Sequence, residues 1–241
     1  MFKAAIEKIV SIAAPATYEV DGRTYSSNRL YLVEEDKKRP VSIEVNGLDS
    51  ICKLVENEIE ACESLGRKVY IQAETHNRVS VFTTYDEEFK RSKLYTCKAD
   101  VPAVTTDCYM DYERAVIELR SLYIPNEGSQ YLLDLISSIS KESKVTTNDN
   151  GVTQQVEAKS GVALREQVTV KPRVSLQPFR TFLEIAQPES EFLLRINQNG
   201  QVGLFQADGG VWKLEAKRGI AAYFEERMKD LIAAGKVVVI M

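Results

Sequence analysis

Histidine is almost absent: His76 is the only one among 241 residues. Any Ser-His-Asp or Cys-His arrangement has to be built around that one side chain, and a histidine-rich zinc site cannot be built within a single chain. His76 falls between two alternating segments, at the expected tip of a hairpin, where a general base is poorly held. It reads as a loop residue. The four cysteines, Cys52, Cys62, Cys97 and Cys108, include no C-x-x-C pair, so a zinc or redox site is unsupported. They are also too few for a dense disulfide framework, and a cytoplasmic protein with reduced thiols is the simplest expectation. The phosphate-cradling strings G-x-x-x-x-G-K-[ST] and G-x-G-x-x-G are missing. No apolar run approaches the roughly 18 residues of a membrane span, so no membrane partner is expected. Glu7 and Lys8 interrupt the apolar run at the N-terminus, which is therefore not read as a signal peptide. A strong excess of one charge sign is missing too. The net charge of -4 argues against a basic footprint over the whole surface, although it allows a local basic face. No catalytic residue, metal ligand or cofactor is assigned.

What is present is enough apolar material, 44% of residues, for a sizeable core. The spacing of Phe2, Ile6, Ile9, Val10 and Ala13 predicts a helix with Pro15 just beyond it. A hairpin around Asp21-Gly22 and a short strand, VSIEV, follow. Leu48 to Leu65 is the clearest helix, with apolar residues at Leu48, Ile51, Cys52, Val55, Ile59 and Cys62, Asn46 as N-cap and Gly66 as stop. Cys52 and Cys62 lie on that stripe and read as core residues. RKVYIQAE and RVSVFTTY alternate with period two and predict a hairpin, with SKLYTCKA as a third strand. Helices are expected over Asp111 to Tyr123, with Asp111 as cap, and over Gly128 to Ser140. Beyond Lys144 the chain turns strand-rich: a hairpin around Asn150-Gly151, then ALREQVTV, RVSLQ, RTFLEIA, EFLLRI and QVGLFQA. A final helix is expected over Ile220 to Ala234, stopped by Gly235, with VVVIM as a buried strand. The expected class is α+β: a mixed helix and hairpin region over 1–142, and a β-rich region with antiparallel strands and a capping C-terminal helix over 143–241. The two regions are compatible with one domain.

The late arginines are the most informative polar set. Between Gly161 and Arg218 there are eight lysine or arginine residues against six acidic ones. Arg173, Arg180 and Arg195 fall in strand-like segments with Phe179, Phe182, Phe192 and Phe205 close in sequence. Basic residues interleaved with aromatics bind single-stranded nucleic acid by phosphate contact and base stacking. The alternative is that the aromatics turn into a core and the arginines pair with Glu184, Glu189 and Glu191. A subunit interface also suits this composition. The candidate binding residues are Arg173, Arg180, Phe182, Arg195 and Trp212, the only tryptophan, which is expected to pack under the C-terminal helix.

The strings DNGVTQ (149–154), SGVAL (160–164), PFRTFLEIAQPESEFLLRI (178–196) and LFQADGGVWKLEA (204–216) resemble an uncharacterised family of bacteriophage and prophage proteins, whose members include a cryptic-prophage protein of enteric bacteria. The resemblance is strongest over about residues 145–240 and carries no catalytic assignment. It implies a cytoplasmic protein of infected or lysogenic cells. The expected function is that of a non-enzymatic accessory acting through homo-oligomeric assembly or through a phage or host protein partner. Two alternatives are a single-strand nucleic-acid-binding accessory to phage replication or recombination, and a hydrolase of a nucleotide or host-defence signalling molecule.

Overall fold

The computed structural model describes residues 2–13, 17–20, 23–26, 40–86, 89–140, 145–149, 154–160 and 164–241. They fall into two units, 1–39 and 40–241. The first holds helix α1 (Phe2–Ala13) and an antiparallel hairpin of β1 (Thr17–Val20) and β2 (Arg23–Ser26). Phe2, Ile6, Ile9 and Val10, the apolar stripe of α1, are all exposed. The expected Asp21-Gly22 and Asn150-Gly151 turns lie outside the described residues, and so does the expected division between 142 and 143.

The second unit is α+β and has two cores. The first core begins with β3 (Ile43–Val45), α2 (Leu48–Ser64), β4 (Val69–Thr75), β5 (Arg78–Thr83) and β6 (Lys93–Lys98). The second contains β7 (Tyr109–Met110), α3 (Tyr112–Ser121), β8 (Tyr123–Ile124) and α4 (Glu127–Ser140). Three further strands, β9 (Val145–Asp149), β10 (Gln154–Ser160) and β11 (Leu164–Val170), form an antiparallel meander. The chain returns to the second core with β12 (Arg173–Pro178), β13 (Ser190–Ile196) and β14 (Val202–Gln206). It closes in the first core with α5 (Val211–Arg227), α6 (Lys229–Ala233) and β15 (Val237–Ile240). The first sheet has the order β15-β4-β5-β6-β3, with β15 and β3 parallel to their neighbours. The second, β7-β14-β13-β12-β8, is wholly antiparallel.

The cores follow from periodicity. The α2 stripe Leu48, Ile51, Cys52, Val55, Ile59 and Cys62 is buried, as its spacing predicts. It packs with Val69, Ile71, Val79, Val81, Tyr95 and Cys97 from alternate positions of β4, β5 and β6, and with Ile220 and Phe224 of α5. Leu119, Leu132 and Ile136 cover Val174, Leu176, Phe192, Leu194 and Leu204 in the second core. Asn46 does not cap α2. Gly47 holds the N-cap position, and Glu184, distant in sequence, accepts the Leu48 N–H at 2.7 Å. The carboxylate fits because an added Cβ on Gly47 would lie 2.9 Å from it. Asp111 does hold the N-cap position of α3, but its side chain accepts from Gln201 at 2.9 Å and makes no cap bond.

Two expectations fail locally. Arg180 to Ala186 is not a strand; it is part of an irregular crossing between β12 and β13, because Phe182 leaves the second sheet to enter the first core. The helix expected over Ile220 to Ala234 is divided: α5 starts at Val211, nine residues before Ile220, and ends at Arg227, and α6 follows over Lys229–Ala233. Gly210 stands at φ 82° at the N-cap of α5, and Asp208 accepts the Gly210 N–H at 3.0 Å, so the turn leads straight into the helix.

Candidate functional site

The five candidate residues separate into three places. Phe182 is 1% exposed inside the first core. Arg180 and Trp212 come together where the two cores meet. The guanidinium lies 3.8 Å from the Trp212 ring centroid, and its Nη2 donates to Ser190 Oγ at 2.5 Å. Ser190 in turn donates to Asp208 at 2.9 Å. Burial lowers the Arg180 pKa to about 10. Its Nε and Nη1 find no hydrogen-bond partner among the described residues, so the ring face and Ser190 carry this cation. Gln187 supports it from below: its Oε1 accepts the Arg180 and Thr181 N–H groups at 2.9 and 3.1 Å, and its Nε2 donates to Phe182 O at 3.0 Å.

His76 sits at the hairpin tip as expected, yet it is not a free loop residue. Its ring meets Trp212 edge-on at 4.6 Å, and Thr181 Oγ1 donates to its carbonyl. Burial, and then the charges of Lys213 and Arg180, hold its imidazole below the usual 6.5. The unfolded chain takes up a proton near that usual value while the native state does not. Stability is therefore full above it, falls as pH drops beneath it, and levels once the native imidazole also protonates. Thermal unfolding followed from about pH 8 to about pH 5 should show this decline, and His76→Gln should flatten it. A slope unchanged by the substitution would contradict the assignment.

Arg173 and Arg195 lie elsewhere, on the outward face of the second sheet. Their register places them beside Leu193, Gly203, Phe205 and Tyr109, opposite the buried positions of the same strands. Arg173 pairs with Glu191 at 2.8 Å, as the charge pattern allows. Arg195 has no carboxylate partner among the described residues and donates to Leu194 O at 3.1 Å. Tyr109 and Phe205 meet edge to face at 5.5 Å over Gly203, where an added Cβ would lie 2.7 Å from the Phe205 ring. Tyr109 was not singled out from sequence; the isolated glycine within a strand was the available sign of a close approach.

The first sheet carries α2 and α5 on one face and a second aromatic group on the other. Tyr70 and Phe82 stack at 5.5 Å. Arg91 lies over Tyr70, Phe82 and Tyr85 at 5.2, 5.6 and 5.1 Å. Beyond it, Phe89 is 84% exposed and sits 5.9 Å from Tyr85, itself 57% exposed. Phe89 has φ 58°, a left-handed conformation that costs a bulky residue about 1–2 kcal/mol. Asp86 fixes the loop: its carboxylate accepts the Lys90 N–H at 2.9 Å and its carbonyl the Phe89 N–H at 3.0 Å.

A cleft of about 340 Å³ between α4 and β12 is lined by Glu127, Tyr131, Lys171, Arg173 and Glu189, its two cations balanced by two carboxylates. Among the described residues no three His, Cys, Asp or Glu side chains gather to hold a metal ion. All four cysteines are free thiols, with Cys52, Cys62 and Cys97 buried; burial pushes the Cys52 and Cys97 thiols up to about 11 and 12. Among the described residues no helix is long and apolar enough to cross a membrane. No protein-family model matches the chain, and no match was found among curated proteins or solved structures.

Proposed function

We propose that this chain is a non-enzymatic phage or prophage accessory protein of the host cytoplasm, acting through homo-oligomeric assembly or through a phage or host protein partner. The phage context rests on the strings at 149–154, 178–196 and 204–216. The observation that supports binding over chemistry is the aromatic group of the first sheet. Tyr, Phe and Arg side chains concentrated at one place match the composition of interface anchors. Phe89 is also held exposed in a costly backbone conformation, and such strain clusters at functional positions.

Asparagine tolerates the left-handed region, so Phe89→Asn should keep or slightly raise thermal stability while removing the anchor. Cross-linked capture from phage-bearing cells, quantified by mass spectrometry for both proteins, should show a partner enriched by the wild type and lost with Phe89→Asn. Equal recovery of every captured protein would refute the role of this surface.

A second reading, single-strand nucleic-acid binding, is favoured by Arg195 with Tyr109 and Phe205 on one outward sheet face. It predicts salt-sensitive binding of a labelled oligothymidine of about 20 nucleotides, weakened by Arg195→Ala. Absence of binding at low salt removes it.

A further inference from the structure

The edges of the two five-stranded sheets are not alike. β7 and β8 are two residues long, and Pro125 follows β8 directly. β3 is three residues long with Glu44 at its centre, and Pro40 stands three residues before its start. Short length, charge and proline are the usual means of keeping a sheet edge from pairing with another chain. β15, at four residues the longest of these edges, carries neither charge nor proline within it. It reads Val-Val-Val-Ile, pairs with β4 on one side, and has no partner strand on the other among the described residues. No bulge interrupts its register with β4. The charge at its start, Lys236, is already paired with Glu63 at 2.8 Å.

We infer that β15 pairs with β15 of a second copy, joining two first sheets into one ten-stranded sheet. This rests on the assembly reading above and names the surface that carries it. A closed dimer that uses one patch on both copies needs a two-fold axis. An axis perpendicular to the sheet reverses the strand, so the pair is antiparallel and both sheets keep the same face up. Val238 lies in register with Tyr70, and Tyr70 with Phe82, on the face opposite the helices. The dimer therefore sets two aromatic groups on one side of a continuous sheet and offers a partner two anchors at once. Four residues make a small contact, so the dimer is concentration-dependent.

Val238→Lys and Ile240→Lys each put a charge on the half-buried face at this edge, beside the mate's apolar strand, while Val238→Thr keeps a neutral strand former. Light scattering over rising concentration should show a wild-type dimer, retained by Val238→Thr. Either lysine variant should weaken it about a hundredfold or more, with circular dichroism confirming the fold. A wild-type oligomer that both folded lysine variants leave intact overturns the β15 contact and leaves the assembly reading standing. A wild-type monomer throughout overturns both.

Discussion

Replacing Gln187 by leucine should lower the stability of the second unit by roughly 3–5 kcal/mol, because it strands buried backbone groups. Gln187 is 4% exposed. Its amide is the partner of the Arg180 and Thr181 N–H groups and of the Phe182 carbonyl, in a crossing that has no strand to satisfy them. Leucine has nearly the same bulk, so the loss is one of hydrogen bonding and not of volume. Each buried group left without a partner costs about 1–3 kcal/mol, and water reaches this segment only if the crossing opens. Opening it lifts Arg180 from Trp212 and Phe182 from the first core, so the loss spreads to the joint between the cores. Urea denaturation of Gln187→Leu measures the effect. Gln198→Leu, at an exposed turn position, should stay within about 0.5 kcal/mol of wild type.

Gly128→Ala is expected to cost about 3 kcal/mol or more, against the roughly 1 kcal/mol that alanine gains over glycine in a helix. A Cβ at this position would lie 2.1 Å from the Ser175 carbonyl oxygen and 3.1 Å from its carbon. Both atoms are backbone of Ser175 in β12, so no side-chain rotation relieves the clash. The first turn of α4 is also fixed in place. Asn126 donates to the same Ser175 carbonyl at 3.1 Å, and Asn126 and Ser129 exchange side chain-to-backbone hydrogen bonds of 2.8 and 2.9 Å. The helix must shift away from β12, loosening Leu132 and Ile136 over Val174 and Leu176. Thermal unfolding of Gly128→Ala beside Glu127→Ala, its exposed neighbour, separates this contact from a general helix effect.

The elements that could be read from sequence are those whose own apolar spacing decides their burial. The α2 stripe and the alternation in β4, β5 and β6 fall into this class, and each meets a core where its period places it. What sequence could not supply lay in contacts between distant residues. Glu184 caps α2 from across the chain, so Asn46 has no part in it. Phe182 joins the first core although its neighbours in β12 belong to the second, and the alternation of Arg180 to Ala186 therefore imitates a strand. The helical face of Trp212, Ala216 and Ile220 was present in the sequence, but Lys213, Glu215, Lys217 and Arg218 interrupt it and hid the first turns of α5. The candidate residues divide in the same way. Arg173 and Arg195 alternate outward as strand residues do, while Arg180 is drawn inward by the ring of Trp212, over thirty residues later. Phe89 has no periodic signature, since its prominence comes from a loop held by Asp86.

The most direct measurement is the native mass of the purified protein, by light scattering over a range of micromolar concentrations with nucleic-acid absorbance recorded alongside. The expected result is a nucleic-acid-free homo-oligomer whose mass rises from monomer to dimer as concentration increases. A clean monomer at every concentration, or a monomer that carries nucleic acid, would contradict it.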